Sequence, residues 1–277
     1  MLTGHPLAML LAVVLPLAAQ ERPASGFYNL EKEAALGKAL AEETIRRSPP
    51  LDSPNAQRFV RSLGQKIASY LPDIKLPFFF SVIADDECRG AHEPTALPGG
   101  YIFVPAGLLV AAQDDAEVAG MLAHAMAHVA RAPGLRQATP ANNGSIPLIF
   151  IGGSAAESSG VAAIPSSFVE AQRSAELEAD VTSVQIMARL GFDPNALVRF
   201  ISRLQKDITP RFNPNSPMPD PEQRVAAMRS TIDKLPPHEP TAEPTVEFTT
   251  AREEVRSLIK QPTPSRVPPS LFKKKPE

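Results

Sequence analysis

Asp114 to Arg131 reads DDAEVAGMLAHAMAHVAR, and both the fold and the chemistry turn on it. Asp114 with Glu117 three residues later is the sequence form of a capping box, and Pro133 follows the segment, which predicts a helix running to about Arg131. At about 100° per residue, Glu117, Met121, His124 and His128 fall on one stripe, so the two imidazoles can converge on a single ion. Two histidines four apart are half of a metal site, and are also found as ordinary surface or core residues. The chain has only five histidines, which makes an accidental pair less common.

The other half comes from AELEAD, Ala175 to Asp180, inside a helix predicted over Phe168 to Gly191 and closed by that glycine. Glu176 and Asp180 are four apart and share a face. Glu176 can supply an oxygen as third zinc ligand, and Asp180 can bond the far nitrogen of a ligating histidine and fix its tautomer. Such a pair also describes a solvated acidic face, which is the reading given to Glu178.

Outward from these helices, Asn29 to Arg47 is rich in helix formers and stops at Ser48-Pro49-Pro50. Ser53-Pro54 caps a second helix that buries Phe59, Val60, Leu63, Ile67 and Tyr70. Phe78 to Ala84 and Tyr101 to Val104 are β-prone runs separated by a loop containing Pro98-Gly99-Gly100, which predicts a small sheet. Gly144 to Ser167 reads as a loop or flap packed on the domain. Asp193-Pro194 and Asp220-Pro221 open two further helices near 194–206 and 221–234. From 236 to 277 the composition turns towards proline, threonine and glutamate, predicting an extended tail with at most a short helix at Ala251 to Ile259.

A chain of 277 residues, 43% hydrophobic, can bury a sizeable core, and its formal charge of -2 gives no electrostatic ground for nucleic-acid binding. Leu7 to Ala19 is an apolar run ending in small residues, too short to span a bilayer comfortably, and reads as a secretory signal over residues 1–19. The expected location is therefore periplasmic or extracellular, with no stable membrane span in the mature chain. The alternative is a membrane tether through an uncleaved N-terminal segment. The single cysteine, Cys88, excludes an intrachain disulfide.

Four blocks, ALPGGYIFVPAGLL, DDAEVAGMLAHAMAHVA, AELEADVTSVQIMARLGFDP and PMPDPEQRVAAMR, resemble in that order the CAAX-prenyl-protease/HtpX-like zinc metallopeptidases, the gluzincins of metallopeptidase family forty-eight. The resemblance runs from about Leu30 to Arg229. It implies an α+β, mostly helical zincin-like domain over residues 27–235 with a small β-sheet, and zinc held by His124, His128 and Glu176. It also implies a substrate cleft at Gly99, Gly100 and Tyr101, with the Tyr101 to Val104 region lying beside it, where an extended peptide could add to a sheet edge.

In that family the residue after the first histidine is glutamate, in an HExxH motif; here it is Ala125. The glutamate takes a proton from the attacking water and passes it to the leaving amine, which a methyl group cannot do. Two further departures accompany it. Relatives usually carry an Arg-His pair soon after the second histidine, where this chain has Ala132-Pro133, and often His-Pro where it has Met218-Pro219. The expected function is a secreted zinc-binding protein, proteolytically inactive or strongly impaired, that holds a polypeptide substrate or client. The alternative is an active zinc metalloendopeptidase with Glu117 or Glu93 as substitute base. A third reading, a structural protein without metal, requires the three intact ligands to be incidental.

Overall fold

The computed structural model describes residues 30–71, 77–84, 93–131, 166–207, 218–236 and 243–259. The leader, Cys88, Ala132-Pro133, all but the last two residues of the Gly144 to Ser167 segment, and the chain after 259 lie outside them. Eight helices are described: α1 (Leu30–Arg47), α2 (Pro54–Ala68), α3 (Ala106–Ala111), α4 (Asp115–Arg131), α5 (Ser166–Leu190), α6 (Asn195–Asp207), α7 (Pro221–Ile232) and α8 (Val246–Ile259). They enclose a three-stranded sheet of β1 (Phe79–Ile83), β2 (Thr95–Leu97) and β3 (Tyr101–Pro105). The α+β class, mostly helical with a small sheet, is as the sequence indicates.

The helix starts follow their caps. Ser53 Oγ accepts from the Ala56 amide at 3.4 Å, and Asp220 Oδ1 from Glu222 at 2.8 Å. At the head of α4, Asp114 Oδ1 accepts from the Glu117 amide at 2.8 Å. The Glu117 carboxylate reaches back to the amide of Gln113 at 2.8 Å, one residue beyond the usual capping-box position. Helix α5 ends in a Schellman pair, Phe192 N–H to Met187 O at 2.9 Å and Gly191 N–H to Ala188 O at 3.2 Å. Tyr70 departs from expectation: α2 stops at Ala68, and the ring is 41% exposed.

The strand order is β1-β3-β2, with β1 parallel and β2 antiparallel to β3. Strand β3 is thus the centre of the sheet, and both its sides are already paired. Gly99 and Gly100, at φ of 74° and 87°, make the tight turn from β2 to β3; a Cβ on Gly100 would stand 2.0 Å from the Pro77 carbonyl oxygen. The outer side of β1 is closed by Leu51 N–H, which donates to Val82 O at 2.9 Å, and by Gln57, whose amide accepts from Val82 N–H and donates to Val82 O. Residues alternate across the sheet as the period of a strand requires. Leu97 and Phe103 pack towards α1 with Ala41, while Phe80, Val82, Ala96, Ile102 and Val104 join the main core.

That core centres on α4. Val118, Leu122 and Met126 are fully buried, each contributing about 1.5–3 kcal/mol. The small residues between them let neighbours come close: a Cβ on Gly120 would lie 2.9 Å from Leu197 Cβ. Helix α8 lies beyond residue 235, where the sequence predicts an extended tail. It starts at Val246, packs along α2, and buries Phe248, Ala251 and Val255 completely in the same core. Its Glu254 accepts from Ser53 Oγ at 2.6 Å and from the Asn55 amide at 2.9 Å, capping α2 from a distant part of the chain.

Candidate metal centre

Helices α4 and α5 pack side by side, and the 3.6-residue period turns His124 and His128 of one towards Glu176 and Asp180 of the other. His124 Nε2 lies 3.0 Å from His128 Nε2 and 3.3 Å from Glu176 Oε2, while His128 Nε2 lies 3.5 Å from Glu176 Oε1. All three side chains are buried, and this is the one such group among the described residues that offers three converging ligand atoms. Ligands about 2.0–2.2 Å from a tetrahedral zinc stand about 3.3–3.5 Å apart; the two histidine-to-Glu176 separations match that range, the 3.0 Å between the imidazoles is shorter, and the nitrogen-nitrogen-oxygen donor set suits that ion.

Asp180, wholly buried, sits behind His124, with Oδ1 2.9 Å from His124 Nδ1, although the ring N–H is imperfectly aligned with it. Arg224 of α7 grips both Asp180 oxygens, Nε to Oδ2 and Nη2 to Oδ1, each at 2.8 Å, and its third nitrogen lies 3.4 Å from Glu93 Oε1. Burial opposes charge on His124, but the Asp180 and Glu176 carboxylates, as acceptors and as negative charges, overcome it and push the imidazole up to about 9. Burial likewise disfavours charge on His128, which ends below the ordinary histidine range. Burial raises Asp180 too, yet Arg224 and His124 outweigh it and bring the carboxyl down to about 2. Counted formally with neutral imidazoles, Glu176, Asp180 and Glu93 against Arg224 leave two negative charges, which a divalent cation balances.

The other candidate residues fall in different places. Ala125 lies next to His124 with 1% exposure, its methyl packed in the main core. Glu117 does not join the group. It stands two turns away at the head of α4, fully buried, its carboxylate bound by Arg203 at 2.6 and 2.9 Å as well as by the Gln113 amide. Glu178 is exposed. Gly99 and Gly100 form a buried turn, and Tyr101 stacks on Phe79 with centroids 4.8 Å apart. Tyr101 to Val104 belongs to the central strand, which has no unpaired backbone of its own, so a sheet edge beside this region must come from a neighbouring strand. Among the described residues the unpaired margin is that of β2, which packs beside α4.

Arg203 and Arg224 were not foreseen as partners of Glu117 and Asp180. Arg224 had one local sign, its place in the first turns of a capped helix where it is 5% exposed, but its carboxylate lies 44 positions away in sequence.

Residues 54–232 match Peptidase family M48. The chain is 28% identical over 252 residues to a Vibrio cholerae protein whose name places it among beta-barrel assembly-enhancing proteases, covering 82% of this chain and 51% of that one. It is 25% identical over 228 residues to the beta-barrel assembly-enhancing protease of Escherichia coli K12, covering 76% and 45%. The Yersinia pestis protein of that name is 25% identical over 231 residues, covering 77% and 46%. This chain thus spans about half the length of these relatives. With a matched segment that runs from the start of α2 to the end of α7 and contains both ligand helices, the chain belongs to peptidase family M48.

Proposed function

We propose that this chain is a zinc-binding member of the family that holds a polypeptide and cleaves it slowly or not at all. The carrying observation is the buried His124, His128 and Glu176 group with its three ligand atoms converging on one point, and Ala125 beside it. Those three side chains would hold the ion, and Asp180 would orient His124. Zinc, when bound, supplies Lewis acidity towards a carbonyl and a water. No proton acceptor stands at position 125, so transfer to the leaving amine has no carrier there. Losing such a general base typically costs about 10²- to 10⁴-fold in rate.

The relatives are named as proteases, which supports a polypeptide as the ligand. Its natural seat in this reading is the margin of β2 that no described strand pairs, where backbone pairing gives affinity largely independent of sequence. The apolar run Leu7 to Ala19 supports export, to a periplasmic or extracellular site. Active proteolysis with a substitute base is the second reading. Of the two carboxylates considered for it, Glu93 touches the group through Arg224, whereas Glu117 is committed to Arg203.

Two measurements test the proposal. Metal analysis is expected to find one zinc per chain, lost in a His124→Ala, His128→Ala double variant; retention by that variant refutes the site. Casein turnover by the zinc-loaded protein is expected to be undetectable or very slow. Chelator-sensitive cleavage at a rate typical of active relatives refutes the impaired reading.

A further inference from the structure

The Arg224 guanidinium touches none of the three candidate ligands, yet it is buried in the layer behind them. We propose that Arg224 is a positioning residue for the metal group: it locks Asp180 against His124, so that metal affinity depends on a side chain of α7 that never meets the ion. This rests on the zinc reading above.

Asp180 Oδ1 is shared between Arg224 Nη2 at 2.8 Å and His124 Nδ1 at 2.9 Å, and Oδ2 is held by Arg224 Nε at 2.8 Å. Two parallel N–H donors fix the plane of a carboxylate as one donor cannot. With its plane fixed, Asp180 presents one oxygen to His124 Nδ1 and favours the tautomer that carries its proton there. The lone pair of Nε2 is then directed to the shared point with His128 and Glu176. The third guanidinium nitrogen faces Glu93, two residues ahead of β2, so the same side chain links α5, α7 and the approach to the sheet. Lysine keeps the charge but not the fork, which makes it the discriminating replacement.

The bland alternative is an ion pair that merely fastens α7 to α5. That role would lower thermal stability and leave the zinc affinity of the folded protein unchanged. The test is zinc affinity by chelator competition for wild type, Arg224→Lys, Arg224→Gln, Asp180→Asn and the Asp180→Asn, Arg224→Gln double variant, each with a thermal melt. Arg224→Lys, Arg224→Gln and Asp180→Asn are each expected to weaken zinc by about 10- to 100-fold. In the Asp180→Asn background, Arg224→Gln should add less than about threefold, because the group through which it acts is already altered. Cobalt-loaded Arg224→Lys should show shifted visible bands. Wild-type affinity in folded Arg224→Lys, or losses that multiply in the double variant, overturns the inference. Should Arg224→Gln strand the buried Asp180 charge and fail to fold, Arg224→Lys decides by its affinity and its cobalt spectrum. A wild type that takes up no zinc removes the proposed function and this inference together, whereas normal wild-type binding with an unaffected Arg224→Lys removes this inference alone.

Discussion

Replacing Ala125 with glutamate restores the HExxH pattern on a helix whose other members are already in place. Position 125 is turned about 100° from His124 and about 60° from His128, so an extended carboxylate can swing towards the point that the two imidazoles share. The methyl is 1% exposed and packed in the core, and a longer side chain that stayed there would overpack it at a cost of about 1–3 kcal/mol. If the carboxylate reaches the metal instead, the gain is the general-base term, about 10²- to 10⁴-fold in rate, or about 2.7–5.5 kcal/mol of barrier. Ala132, Pro133 and Met218 stay as they are, and missing polar support of that kind holds the variant about 10- to 100-fold below an active relative. Turnover of a quenched fluorescent peptide by zinc-loaded Ala125→Glu, with a chelator control and a melting curve, reads both terms. A folded, zinc-loaded variant with no gain over wild type would refute the reasoning that Ala125 is the principal lesion. Full family-level activity would show the other departures to be harmless.

Phe248→Ala removes a wholly buried ring that packs on Phe59 at 5.7 Å, and is expected to cost about 3–5 kcal/mol in chemical denaturation; a loss below about 1 kcal/mol would detach α8 from the core. Gly100→Ala should be among the most damaging single changes, since it combines a positive φ with a 2.0 Å approach to the Pro77 carbonyl, and a melting temperature equal to wild type would contradict the turn. Asp193 is raised by burial but more strongly lowered by Arg199 and the Asn195 amide, so its folded pKa lies below its unfolded one. Its contribution is therefore present above about pH 3.9 and lost as pH falls through the lower folded value, and Asp193→Asn should destabilise at pH 7 while its deficit shrinks as the pH is lowered through the acid range. A destabilisation that does not shrink as the pH is lowered would rule out the charge as its origin.

Features written locally were readable from the sequence. Ser53, Asp114, Asp193 and Asp220 bond amides two or three residues ahead, so their helix starts needed no knowledge of the fold. His124 with His128, and Glu176 with Asp180, sit at helical spacing, and only their meeting required tertiary structure. Strand β2 was missed because three residues carry too little alternation to register, and without it β3 looks like an edge. Helix α8 was underestimated because its proline-rich surroundings mask a face of Phe248, Ala251 and Val255 whose partner, α2, lies about two hundred residues earlier. The partner of Glu117 was illegible for a related reason: the stripe it shares with the histidines is local, but Arg203, which claims it, belongs to another helix.

Gln57 has a consequence for how this molecule meets copies of itself. By satisfying both backbone groups of Val82, and with Leu51 paired alongside, it leaves the β1 margin with little to template on. Polymerisation through strands requires each subunit to present two complementary margins, one to receive and one to pass on. Here the second is stoppered by a side chain from α2. Among the described residues, two chains that met through their β2 strands would therefore form a closed pair, with no second open margin from which a fibre could grow.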